Sequence, residues 1–207
     1  MKIQKILMVV SALMILLLFA FPLWSITLEA PQYPTPLRME IFINKFQDYN
    51  PHDIKNINLM NHYVGMKFIP ETIPEFKIFP VVIGIMALAG VLIGIFKNYK
   101  WFLGWFIVMV ILTLAGMIDF YIWEHDYGNN LDPNAIMKFN DADGNPMGFQ
   151  PPFLGSKKIL NFVAHSYPGL GAYFMGAGII ISFFAYLIGK KSADEAAEKL
   201  QIEDIEN

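Results

Sequence analysis

The chain contains no cysteine in 207 residues. That excludes disulfides, thiolate catalysis, zinc ribbons and iron–sulfur clusters. Any metal would have to be held by His, Met, Asp or Glu. Charge is sparse as well: 16% of residues are charged, with 15 Lys and Arg against 18 Asp and Glu. There is no basic surplus of the kind nucleic-acid binding requires. The sequence carries no phosphate-binding glycine loop and no nucleophile elbow. It has no internal repeat either, so an inverted-repeat transporter is not supported. What it has is apolar: 55% hydrophobic residues, 15% aromatics and a mean hydropathy of +0.42. A soluble domain usually holds about 45–50% apolar residues, and the aromatic share suits the interfacial belts of a membrane protein.

The apolar residues fall into four runs, which predict an all-α membrane protein with four transmembrane helices and two polar segments folded into a small cap. Residues 1–5 carry Lys2 and Lys5 ahead of a first span at 6–26. That run is longer than the usual ~7–15-residue core of a secretory signal and no A-x-A cleavage site follows it, so it reads as a retained helix. A polar segment at 27–77 opens with a proline-rich stretch that cannot be helical. Alternation around Met39, Ile41 and Ile43 predicts a short strand within it. Asp53 to Met66 predicts a short helix, capped by Asp53 and stopped near Gly65. The second span is 78–96, with Gly90 and Gly94 as a G-x-x-x-G pair that allows close helix packing.

The loop at 97–100 is short enough to make the second and third helices antiparallel neighbours. The third span, 101–123, is apolar all round. At ~1.5 Å per residue it crosses a ~30 Å hydrocarbon core. The second polar segment is 124–168, with an interfacial turn or short helix expected over Ser156 to His165. The fourth span is 169–189. Lys190 and Lys191 stop it, and a capping-box pattern at Ser192 opens an acidic tail over 190–207. Lysines flank the spans on one side, which places both termini in the cytoplasm and both polar segments outside. In a Gram-negative cell that is the periplasmic side of the inner membrane.

All four histidines, His52, His62, His125 and His165, then fall outside, though so do most of the residues beyond the spans. Met60, His62 and Met66 form the sharper pattern. A thioether and imidazole set suits Cu(I) and works without cysteine in an oxidising compartment. The plain alternative is that the methionines pack and His62 bonds to backbone. Asp119 interrupts an apolar span, and an intramembrane carboxylate is a functional candidate unless it sits hydrated at the interface. It leads into Glu124, His125 and Asp126. His165 precedes the fourth helix, so bundling would bring it toward His125. A harder site of Asp119, His125 and His165 would suit another transition metal or an oxygen-activating copper centre. Asp141 to Asn145 partly resembles a calcium loop but lacks the later acidic ligand, and reads as a plain turn.

Four strings, PLWSITLEAPQYPTPL, INLMNHYVGM, DFYIWEHDYGNNLDP and FQPPFLGSKKILNF, together resemble a family of small bacterial membrane proteins. That family is associated with gene neighbourhoods that mature nitrous oxide reductase, a periplasmic copper enzyme. The likeness runs through about Ser166. It implies a non-enzymatic accessory role in copper supply or assembly, with Met60, His62 and Met66 carried over as copper ligands. Asp119, Tyr127 and Gly128 belong to the third string. There the family pattern DYGHNL reads DYGNNL, with Asn129 in place of the histidine, so no fixed histidine site is implied at that point. Beside the copper reading stand two others: an anchoring subunit whose cap docks a protein partner, and a membrane metalloenzyme using the Asp119 cluster.

Overall fold

The computed structural model describes residues 2–140, 144 and 147–206; the calcium-like stretch at 141–145 therefore lies mostly outside the described residues. Two layers result, a helical bundle and a cap containing a β-sheet.

The bundle has four helices. Helix α1 runs Ile3–Met14 and tightens into a 3₁₀ stretch at Ile15–Phe19. Helices α3 (Glu75–Phe96), α4 (Tyr99–Asn129) and α5 (Leu170–Glu206) are each long and apolar enough to cross a membrane. The first helix packs against both α3 and α5, and α4 packs against α5. Met8, Ile15, Leu18, Phe102 and Met109 are fully or almost fully buried where they meet. Outside, exposed apolar residues run at helical spacing: Ile78, Val81, Ile85, Leu88 and Leu92 on α3, and Ile107, Ile111, Leu114, Ile118 and Ile122 on α4. An apolar outer face of this kind is compatible with lipid as the solvent.

Small residues bring the helices together. A Cβ on Gly90 would stand 2.6 Å from that of Ala12, and one on Gly94 would stand 2.8 Å from Val9 Cγ2. The G-x-x-x-G pair is thus used inside the chain, against α1. The Ser11 hydroxyl, fully buried, donates to the Gly178 carbonyl of α5 at 2.6 Å. Helices α3 and α4 meet near their short turn, where Trp105 Nε1 donates to Met86 O at 2.9 Å.

The cap is built on a five-stranded antiparallel sheet in the order β3-β2-β1-β5-β4. Strands β1 (Trp24–Glu29), β2 (Leu37–Ile41) and β3 (Phe46–Asp48) come from the first polar segment. Strands β4 (Gly155–Ile159) and β5 (Phe162–Pro168) come from the second. The seam is β1 on β5, with Ile26 opposite Ser166 and Thr27 opposite His165. Side chains alternate across a pleated sheet. Ile26, Met39 and Ala164 lie on the buried face, while Arg38, Thr27 and His165 lie on the other.

Helix α2 (Asp53–Val64) and the last turns of α4 pack on the buried face. Gly65 ends α2 in the left-handed region at φ +81°, and Met66 N–H closes back on Asn61 O at 2.9 Å. The same turn ties the two segments together: Asp132 N–H donates to Gly65 O at 2.8 Å and Met137 N–H to Tyr63 O at 2.9 Å.

Several sequence expectations are corrected here. The protein is not all-α, because the sheet draws on both polar segments. The helix expected at 6–26 ends at Phe19, and β1 begins at Trp24. Pro22 has no N–H to continue a helix, and the following apolar residues belong to a strand. The interfacial turn or short helix expected over Ser156 to His165 is a β-hairpin turning at Leu160 and Asn161, with Leu160 at φ +55°. Helix α4 does not stop at Trp123 but carries Glu124, His125 and Asp126 on to Asn129. Lys190 and Lys191 do not interrupt α5, which continues through the tail as one helix. The strand around Met39 and the helix from Asp53 are found where expected. Asp53, however, does not cap its own helix. Its buried Oδ2 accepts from Asn50 N at 2.8 Å and Arg38 N at 3.1 Å, and Asp48 Oδ1 takes the Ile54 N–H at 2.7 Å.

Candidate metal-binding cavity in the cap

A cavity of about 90 Å³ lies between the buried face of the sheet, α2 and the end of α4. Its wall is mostly aliphatic and aromatic. The polar and polarizable groups on it are Met60 and Asn61 of α2, Met66 just past the Gly65 turn, and Trp123, Glu124 and Tyr127 of α4. Local geometry explains the set. Residues three and four apart share a helix face, so continuing α4 past Trp123 turns Glu124 and Tyr127 inward. His125 and Asp126 are turned out to solvent. The αL turn at Gly65 reverses the chain and lets Met66 face the cavity that Met60 already lines.

Glu124 is the unusual member. It is 0% exposed, and neither carboxyl oxygen has a hydrogen-bond partner. The Tyr127 hydroxyl is buried too, with the Asn61 side chain as its polar neighbour, and its ring stacks on Trp123 at 4.7 Å. Buried polar groups are nearly always bonded, and burial without a partner pushes the Glu124 carboxyl up to about 8, because the charged form is costly there. The two Glu124 oxygens, buried and unpaired on the wall of one small cavity, single it out as a candidate site.

The six residues singled out in the sequence fall into separate surroundings. Met60 and Met66 share the cavity, and Met60 Sδ also accepts a long contact from Gln32 Nε2 at 3.5 Å. His62 points away and stacks on Phe68, with ring centres 5.9 Å apart and nearly parallel planes. Asp119 is exposed on α4, with Glu75 of α3 as its charged neighbour. His125 stacks on Tyr121, and its Nδ1 lies 3.2 Å from Gln150 Oε1 and 3.1 Å from Asn129 Nδ2. Asn129 thus completes a polar trio with His125 and Gln150.

His165 sits on the outer face of the sheet, with Nδ1 2.6 Å from Ser156 Oγ and Nε2 3.3 Å from Glu29 Oε1 in poor hydrogen-bond alignment. Asp126 pairs with Lys67 at 2.6 Å. Among the described residues no group of three His, Asp or Glu side chains gathers as a metal site. Of the cluster Asp119, Glu124, His125 and Asp126 that the sequence offers, Glu124 is the one that lines the cavity, apart from His125 rather than beside it as a co-ligand. Its signal was present: extending the helical period by one turn beyond Trp123 places it on the same face as Tyr127.

The donor set fits a soft cation. Thioethers and an aromatic wall suit Cu(I), whereas Ca²⁺ and Mg²⁺ need about six oxygen ligands that this wall does not offer. No protein-family model matches this chain, and neither the curated proteins nor the solved structures include a match to it.

Proposed function

We propose that this is an integral membrane accessory protein that binds copper in its cap, on the extracytoplasmic side of a bacterial cytoplasmic membrane. It would hold or hand on Cu(I) for the maturation of a copper enzyme, nitrous oxide reductase being the one its sequence resemblance suggests. The observation that carries this reading is that Met60 and Met66, both from the INLMNHYVGM string, line one cavity. His62, His125 and His165 stand outside it, so the proposed ligands are thioethers rather than imidazoles.

The topology that goes with this function has four crossings. Helix α1 supports it in two ways. Its twelve α residues and five 3₁₀ residues rise ~28 Å, close to the ~30 Å of a hydrocarbon core. Its exposed residues Ile3, Ile6, Val10, Leu13 and Leu16 form an apolar stripe like those of α3 and α4. Lysines at both ends of the helix pairs away from the cap favour that end in the cytoplasm.

The test is titration of the detergent-purified protein with Cu(I) against a competing chelator. One equivalent should bind. Met60→Leu with Met66→Leu should weaken binding by about tenfold or more, given the preference of Cu(I) for thioether donors. His62→Ala should leave it unchanged. Absence of binding by the unaltered chain would end the copper reading.

A second reading, an anchoring or docking subunit, has one observation in its favour. Leu59, Tyr63, Phe68, Ile136 and Met137 are large, apolar and exposed on the cap. Co-purification of a protein partner regardless of metal would favour that reading.

A further inference from the structure

We infer that Glu124 is the counter-charge of the cap cavity, and that this single carboxylate makes the site select a monovalent soft cation over any divalent one. The inference rests on the copper reading and goes further, because it assigns a ligand outside the methionine pattern and a rule for which ions enter.

The charge count comes first. Among the described residues lining the cavity, Glu124 is the one ionisable acid besides the Tyr127 phenol, and neither Lys, Arg nor His lines it. Both Glu124 oxygens are fully buried and without partners. One carboxylate neutralises one positive charge. A divalent ion would leave a net charge in an aliphatic chamber, where no second anion is present to offset it. The remaining donors point the same way. The Met60 and Met66 sulfurs are soft, and the Trp123 and Tyr127 rings can face a cation with their π-electrons. The chamber is also small. At about 90 Å³ it has room for an ion or a few waters.

Position reinforces this. Glu124 sits where α4 passes from the bundle into the cap, beside the stretch whose Phe120 and Trp123 pack against the cap core. An ion bound there would bridge α2 with its Gly65 turn to the cap end of α4, whose residues line this chamber together.

The experiment uses the full chain in detergent, with Cu(I) and redox-inert Ag(I) as probes and Zn(II) and Ca(II) as competitors. Cu(I) and Ag(I) should bind at one equivalent and quench part of the tryptophan fluorescence, a signal that Trp123→Phe should remove. A hundredfold excess of Zn(II) or Ca(II) should not displace them. Glu124→Gln keeps the shape and removes the charge. It should lower the affinity for both probes by about tenfold or more, since a full charge within contact distance is being deleted. Its thermal unfolding without metal should be unchanged or raised. Glu124→Asp, which retains the charge, should recover part of the binding.

Full-affinity binding by Glu124→Gln, with the methionine variants still impaired, would overturn the inference and leave the copper reading standing. Displacement of Ag(I) by Zn(II) would overturn the charge-selection rule. If the unaltered protein binds neither Cu(I) nor Ag(I), the copper reading and this inference both fall.

Discussion

A handful of residues hold this protein together in ways their chemistry explains. Asp53 is the clearest. Its one buried oxygen, Oδ2, gathers the N–H groups of Arg38 and Asn50 together with the Asn50 amide, so it joins β2, the turn after β3 and the start of α2. Asp53→Ala leaves those donors buried and unpaired, which costs about 1–3 kcal/mol. A lowered thermal midpoint in detergent should report it, and the cap should become more sensitive to limited proteolysis at residues 49–53 than at the α3–α4 turn. Asn58 does similar work further along α2: its amide accepts from Ile69 N–H at 2.7 Å and keeps the segment after Gly65 beside the helix. The surface pair Lys67–Asp126, by contrast, is half exposed on both sides, and exposed pairs contribute little. Lys67→Ala should therefore shift the midpoint hardly at all in the same assay.

At the scale of elements, α4 is decisive. Its bundle half is an apolar rod. Its cap half delivers Glu124 and Tyr127 to the cavity and His125 to the solvent, and a close approach at Gly128 sets how deep it sits. The Phe149 N–H donates to Gly128 O at 2.7 Å, and a Cβ on Gly128 would overlap the backbone of Gln150. Gly128→Ala must push the 147–151 strip off the helix. Overpacking of this kind costs about 1–3 kcal/mol. It should also weaken Cu(I) binding without touching a proposed ligand, because Phe149 and Pro151 line the same cavity. A variant with unchanged melting and unchanged Cu(I) affinity would show that the strip does not depend on this contact.

Helix α5 gives a lesson of another kind. Lys190 and Lys191 looked like a terminus, but lysine is a good helix former and leaves the backbone ladder intact. Charge ends the apolar stretch without ending the helix.

At the scale of the whole molecule, the cap is one unit made from two segments, and a cysteine-free chain makes that easy to test. Thr27 and His165 face each other across the β1–β5 seam. Cα atoms of paired residues in an antiparallel ladder are ~4.5–5.5 Å apart, within the range a disulfide spans. Thr27→Cys with His165→Cys should cross-link within the chain on mild oxidation, giving a faster-migrating band lost on reduction. A helix over Ser156 to His165 would give no such band. Orientation is tested with single cysteines in the same background. Gln47→Cys in the cap should react with a membrane-impermeant thiol reagent added to spheroplasts, and Ala196→Cys in the α5 tail should react only after lysis.

Some of this architecture could be read from local pattern because its cause is local. A bilayer demands long apolar helices with every backbone group satisfied internally, and α3, α4 and α5 announce themselves by length alone. The Gly65 turn and the alternating Leu37–Ile41 strand are likewise written into neighbouring residues. Other features have no local signature. Strand β1 hides in the continuation of an apolar run, and its partner β5 lies about 140 residues away in sequence, so only the folded chain could reveal that Trp24–Glu29 is sheet. The cavity is the extreme case. Met60 and Met66 stand out in the sequence as a thioether pattern and Glu124 as one of an acidic cluster, but nothing local joins the two. They become a candidate site because a helix that crosses the bundle continues into the cap and closes a chamber there. Burial belongs to three-dimensional packing, and it is burial that strips Glu124 of water and leaves its carboxylate without a partner.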